Sequence, residues 1–257
     1  MARGALAGRC IVVTRPRELA AEFAALIEQA GGAALIFPAI EIRDLEDPGP
    51  AIALLGRLEE FELAVFISRS AVRKALGLAG VRAWPARLRV AASGAGTRRE
   101  LEQHGFGEVI APAAPAGSEA LLALPEMRDL AGRRVVIFRG MGGRELLGEA
   151  LAARGASVEY AECYRRVRPE ADAAPLLAAW SRSELDAVSV SSGEALANLC
   201  GMLGETGRQW LAATALFVPH ARVAGQARAL GLREVVPAGP SDVEMLARMV
   251  AYFNGAK

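Results

Sequence analysis

Lysine is almost missing from this chain: Lys74 and Lys257 are the only two among 30 basic residues. The positive charge is therefore carried by arginine, whose planar fork suits carboxylates and phosphates better than an ammonium does. Histidine is equally scarce. His104 and His220 stand alone, too few to complete a metal site with the cysteines or to serve a His–Cys or Ser–His mechanism. Cys10, Cys163 and Cys200 are odd in number, far apart and set among apolar neighbours, which describes core thiols in a reducing cytoplasm. No charge of one sign prevails, since 30 basic residues meet 29 acidic ones for a net charge of +1; this argues against nucleic acid or a membrane surface as partner. No apolar run is long enough to span a bilayer or act as an export signal. Nucleotide fingerprints and evident paired carboxylates are missing too, so any chemistry must rest on positioning and electrostatics. The expectation is a soluble cytoplasmic protein that needs no metal.

What is present centres on residues 133–147, RRVVIFRGMGGRELL. Val135 to Phe138 read as a buried strand, the glycines at 140, 142 and 143 as a loop, and Leu146, Leu147, Ala150 and Leu151 as one helical face. That pattern, a strand feeding a helix, recurs along the chain. CIVVT at 10–14 precedes a helix opened by Pro16 and closed at Gly31-Gly32. Strands are expected at 63–67, 89–92 and 108–112 and again at 186–190, 215–218 and 234–237. Ser68, Ser118 and Ser241 are expected to cap the helices that follow. Segments 34–46 and 157–168 differ in kind. Both alternate apolar with polar residues, too polar on one side for a central parallel strand, so 34–46 is expected to be an exposed antiparallel or edge segment, 157–168 to match it in kind, and the two to make a pair of antiparallel connectors; Val158, Tyr160, Glu162 and Tyr164 would share a face. With 257 residues and 53% hydrophobic content, two cores are affordable. The expected fold class is α/β, two doubly wound, flavodoxin-like parallel-sheet lobes joined by a two-stranded antiparallel ladder. Residues 1–33 with 169–257 form lobe 1, residues 47–156 form lobe 2, and 34–46 and 157–168 connect them.

In open α/β sheets ligands collect where strands end and helices begin, because bare N–H groups and the helix dipole favour an anion there. The strand-end loops here carry small polar residues and arginines: Thr14, Arg15, Ser68, Ser70, Thr97, Arg139, Gly140, Gly142, Gly143, Ser191, Ser192 and Arg222. Facing one another across a hinge, they would line a cleft suited to a polyanion, and they are the candidate substrate-binding residues.

Several of these stretches carry a family resemblance. VVTRP, FISRSAVRKAL, SGAGTRRELEQHG, GSEALL, RGMGGRELLGEALAARGASVEYAECYRR and SVSSGEALANL, taken in order over nearly the whole chain, resemble the uroporphyrinogen-III synthase family. RGxGGRxxL, followed by a Gly-Ala-x-Val strand and a tyrosine, is the most specific part, and Arg69 and Ser93-Gly94 depart from the family's commoner residues. The resemblance implies a lyase that cyclises linear hydroxymethylbilane without a cofactor, losing water and inverting ring D. It implies Tyr164 as the catalytic residue that donates to the departing hydroxyl. It leaves the bilane as the small-molecule partner, a transient hand-over from the bilane-forming deaminase as a further one, and a monomer as the expected state. A non-catalytic two-lobed binding or regulatory protein for an anionic tetrapyrrole or other polycarboxylate would keep the same loops. A glycosyl or phosphoryl transferase would be expected to show the nucleotide loop or metal carboxylates that are missing.

Overall fold

In the computed structural model, residues 4–81, 83–113 and 116–255 are described; residues 1–3 and 256–257 at the ends of the expected first lobe lie outside them. The chain opens with β1 (Cys10–Val13), α1 (Arg17–Gln29) and β2 (Ala33–Ile36). Next come β3 (Glu41–Arg43), α2 (Gly49–Leu55), β4 (Leu63–Phe66), α3 (Arg69–Ala79), β5 (Arg89–Ala92), α4 (Ala95–Gln103), β6 (Val109–Ile110), α5 (Ser118–Leu122), β7 (Arg134–Gly140), α6 (Leu146–Ala153) and β8 (Ser157–Val167). The remainder is α7 (Ala174–Ser181), β9 (Ala187–Ser189), α8 (Gly193–Ala213), β10 (Ala215–Val218), α9 (Ala221–Ala229), β11 (Val235–Pro237) and α10 (Asp242–Phe253). Two compact units result: Met1–Glu41 with Val167–Lys257, and Ile42–Arg166.

The first unit holds a five-stranded sheet in the order β11-β10-β9-β1-β2, and the second a six-stranded sheet in the order β3-β8-β7-β4-β5-β6. Both are α/β and doubly wound. Residues 34–36, expected to be antiparallel or an edge segment, do form an edge strand, but one that runs parallel to β1, from Cys10↔Ala33 to Val13↔Ile36. The reason is local: α1 returns the chain to the starting edge and the Gly31-Gly32 turn leaves no length for anything but a βαβ crossover. β8 runs parallel to β7, because α6 makes the same return, and has β3 as its neighbour on the other side.

Alternation along the central strands of the second unit builds two cores. Leu63, Val65, Val135 and Ile137 enter one, while Ala64, Phe66, Val136 and Phe138 enter the other, where the Phe66 and Phe138 rings stack at 4.6 Å. In the first unit, Ile11, Val13, Phe23, Ile27, Phe217 and Met249 share a cluster. Ser68, Ser192 and Ser241 cap α3, α8 and α10, each accepting a backbone N–H, and Ser241 with Glu244 forms a full capping box. Ser118 does not cap. It is the first residue of α5, and Gly117 at φ 130 precedes it.

One irregularity decides the site. The register of β7 and β8 pairs Arg139 with Glu162 and then Gly140 with Tyr164, leaving Cys163 as an extra residue. Such a bulge flips every side chain beyond it to the other face. Val158 and Tyr160 accordingly pack on the Leu63 face, whereas Tyr164 joins the Phe66 and Phe138 core. The simple alternation that placed Tyr160, Glu162 and Tyr164 together is overturned.

Candidate functional site

The bulge delivers the Tyr164 ring to the carboxyl end of β4. Ser68 there is extended, at φ −163, and its Oγ accepts the Ala71 N–H at 3.0 Å as the cap of α3. The same Oγ lies 3.0 Å from the Tyr164 hydroxyl, and either oxygen can donate. Tyr164 is only 3% exposed. Its ring is accommodated because residue 140 is glycine: a Cβ there would fall 2.6 Å from Cε2 and 2.8 Å from Cζ of the phenol. The backbone is tied as well, the Met141 N–H donating to the Tyr164 carbonyl at 2.7 Å. Ser68, Gly140 and Tyr164 therefore make one assembly, and what Gly140 supplies is room.

On the other face of β8 the end of β7 presents Arg139, buried at 5% exposure. Its Nη1 and Nη2 each lie 3.1 Å from a single oxygen, Glu145 Oε1. Nε is 3.6 Å from Glu162 Oε1, and that carboxylate also accepts the Gly142 N–H at 3.0 Å. The guanidinium stacks 4.5 Å from the centre of the Tyr160 ring. Burial, and then the Glu145 carboxylate beside it, push the Tyr160 hydroxyl up to about 12. The hydrogen bond from Tyr160, and then Arg139, hold the Glu145 carboxyl below its ordinary range, so it is ionised at neutral pH. Gly142 and Gly143, at φ 65 and φ 118, let the loop curl over this group. Arg139, Gly142 and Gly143 thus lie together around the protein's own carboxylates.

The remaining expected residues divide between buried and accessible. Ser70 and Thr97, both 6% exposed, lie in the first turns of α3 and α4. Thr14 is fully buried and donates to the Ser189 carbonyl at 2.7 Å. Arg15 pairs with Asp242 at 2.5 Å and lies over the Phe23 ring. Ser192 accepts the Ala195 N–H as the cap of α8, with half-buried Ser191 before it. Arg222 is exposed at the start of α9 and meets no carboxylate among the described residues.

Sequence reasoning passed over Glu145, Tyr160 and Glu162, although all three stand in its most specific motifs. The β7–β8 register brings Tyr160 and Glu162 to Arg139, and the glycine loop brings Glu145. Burial pushes all three thiols up, Cys163 to about 12, so no thiolate is available near neutrality. Among the described residues no group of three or more His, Cys, Asp or Glu is placed to hold a metal ion, and no helix is long and apolar enough to cross a membrane. A cavity of about 1170 Å³ in the second unit is lined by residues that include Trp84, Arg89, His104 and Phe106, and by none of the candidate strand-end loop residues.

Residues 21–247 match the family model described as Uroporphyrinogen-III synthase HemD. The uroporphyrinogen-III synthase of Escherichia coli is 34% identical over 241 residues, 93% of this chain and 98% of that protein. Its counterpart in Salmonella typhimurium is 36% identical over 246 residues, with the same coverage. The fold matches a mutant uroporphyrinogen III synthase from Thermus thermophilus with a TM-score of 0.61 at 20% identity, covering 96% of this chain and 99% of that one. With a family model over most of its length and near-complete relatives at this identity, the chain belongs to the uroporphyrinogen-III synthase family.

Proposed function

We propose that this chain closes hydroxymethylbilane to uroporphyrinogen III, with the strand-end loops of its sheets holding the substrate's carboxylates and Tyr164 assisting loss of its hydroxyl. As a member of its family the chain is an enzyme, a cyclising lyase of porphyrin biosynthesis. The observation that carries the reading is near-complete alignment with the E. coli enzyme.

The chemistry suits such a site. The bilane bears an acetate and a propionate on each pyrrole, so arginines, hydroxyls and backbone N–H groups are the donors it needs. Loss of the terminal hydroxyl as water gives an electrophilic azafulvene. Attack by the substituted carbon of ring D forms a spirocycle, and fragmentation and reclosure deliver the type III isomer. Unassisted closure gives type I, so the protein's task is to hold one conformation and help water depart. The pairing of the Tyr164 and Ser68 hydroxyls at 3.0 Å supports a relay in which Ser68, half-buried, passes the phenolic donor's influence outward. Arg222, Ser191 and Ser192 are proposed carboxylate partners from the first unit. The chain is proposed to act as a cytoplasmic monomer that takes the bilane by transient hand-over from the enzyme that makes it.

The test is a coupled assay in which hydroxymethylbilane is generated in the presence of the protein and the oxidised porphyrin isomers are separated. Type III in excess over a protein-free control is expected. Type I alone, from folded protein, would overturn the activity and leave a binding protein for an anionic tetrapyrrole.

A further inference from the structure

Arg139 and Glu145 are an unequal pair. The guanidinium side chain is 6% exposed and braced from several sides, by the Tyr160 ring, by Glu162 and by the Gly140 carbonyl. The carboxylate is 51% exposed, and it lies on a loop that follows two glycines at positive φ. A preorganised buried cation is thus covered by a solvent-facing anion. Both guanidinium termini converge on one oxygen of that anion, and the Tyr160 hydroxyl donates to the same carboxylate.

We propose that Glu145 is a displaceable ligand, its carboxylate occupying the Arg139 fork until a carboxylate of the substrate takes its place. The inference rests on the reading of this chain as binding a polycarboxylate bilane. Exchange of one carboxylate for another keeps both termini of the guanidinium paired throughout, with Glu162 beside Nε in either state. The incoming group inherits the fork and the Tyr160 hydroxyl, while Glu145, already half in water, returns to solvent at little cost. Arg139 becomes a substrate ligand whose affinity is set by an internal competitor.

A brace and a competitor predict opposite signs. In steady-state assays of type III formation, Glu145→Ala and the milder Glu145→Gln are expected to lower KM for hydroxymethylbilane at least threefold, the change appearing in KM rather than kcat. Arg139→Met is expected to raise KM more than tenfold, and adding Glu145→Ala to it should bring no recovery. An unchanged or raised KM in both Glu145 variants, or a gain that persists without Arg139, would overturn the proposal while type III formation by the parent protein left the functional reading intact. A parent protein that forms no type III would overturn that reading and this inference together.

Discussion

Arg15 follows β1 in one unit and Arg139 ends β7 in the other; both guanidinium groups are nearly withdrawn from solvent, and each meets a carboxylate at the start of a helix. Asp242 is the first residue of α10, behind a complete capping box, and its side chain is 14% exposed. Glu145 precedes α6 on a glycine loop and is 51% exposed. The first pair is held by elements on both sides, with the Asp242 charge also favoured by the helix dipole. In the second pair the cation is buried, whereas the anion is half in water and accepts from the Tyr160 hydroxyl. Both are guanidinium–carboxylate pairs, so the difference lies in what anchors the anion.

The sharpest way to break this contrast is Asp242→Ala. Removing one partner of a pair this far from water is expected to cost about 3 kcal/mol or more, read from urea midpoints. Glu145→Ala should barely move the midpoint, and equal losses would erase the distinction. Gly140→Ala tests the other side of β8. The added methyl overlaps the Tyr164 ring, so a stability loss of roughly 1–3 kcal/mol is expected, together with a fall of about tenfold in type III formation as the phenol leaves Ser68. Tyr164→Phe keeps the packing and removes only the hydroxyl. It is expected to slow turnover about fivefold without unfolding, and an unchanged rate would remove the proton-donor role.

The smallest effect belongs to a surface network remote from either arginine. Glu60 is held down to about 2 by hydrogen bonds from Arg57 and then Arg134. A lowered carboxyl stabilises the fold above its unfolded pKa of about 4.3 and loses that contribution as the pH falls toward 2. Glu60→Gln should therefore melt slightly below the parent protein at pH 7, with the gap closing as the pH approaches 2. A gap that widens on acidification would show that the network does not work this way.

Much of the fold was legible locally. Ser68 and Ser241 were readable as caps because a serine before an apolar-periodic run satisfies an orphan N–H wherever it occurs. The strands around Val12, Val65 and Ile137 were readable because a centre buried on both faces needs unbroken apolar residues. The direction of residues 34–36, though not their place at an edge, was misjudged because alternation marks a half-exposed strand without saying which way its neighbour runs. At the site, Gly142 and Gly143 announced a loop. The partners of Arg139 stayed hidden, since Glu162 is 23 residues away in the chain and reaches it only through the β7–β8 register.

By itself, then, the sequence determined the βα order of the chain, the helix starts, and a supply of arginines and hydroxyls at strand ends, all of which depend on neighbours within a turn or two. Tertiary structure decided which of those groups are already engaged and which face Tyr164 occupies. The single extra residue at Cys163 turns that ring from the Tyr160 side to the Ser68 side. A bulge is set by the pairing of two strands, and a pattern read along one strand contains no record of where its partner's hydrogen bonds fall.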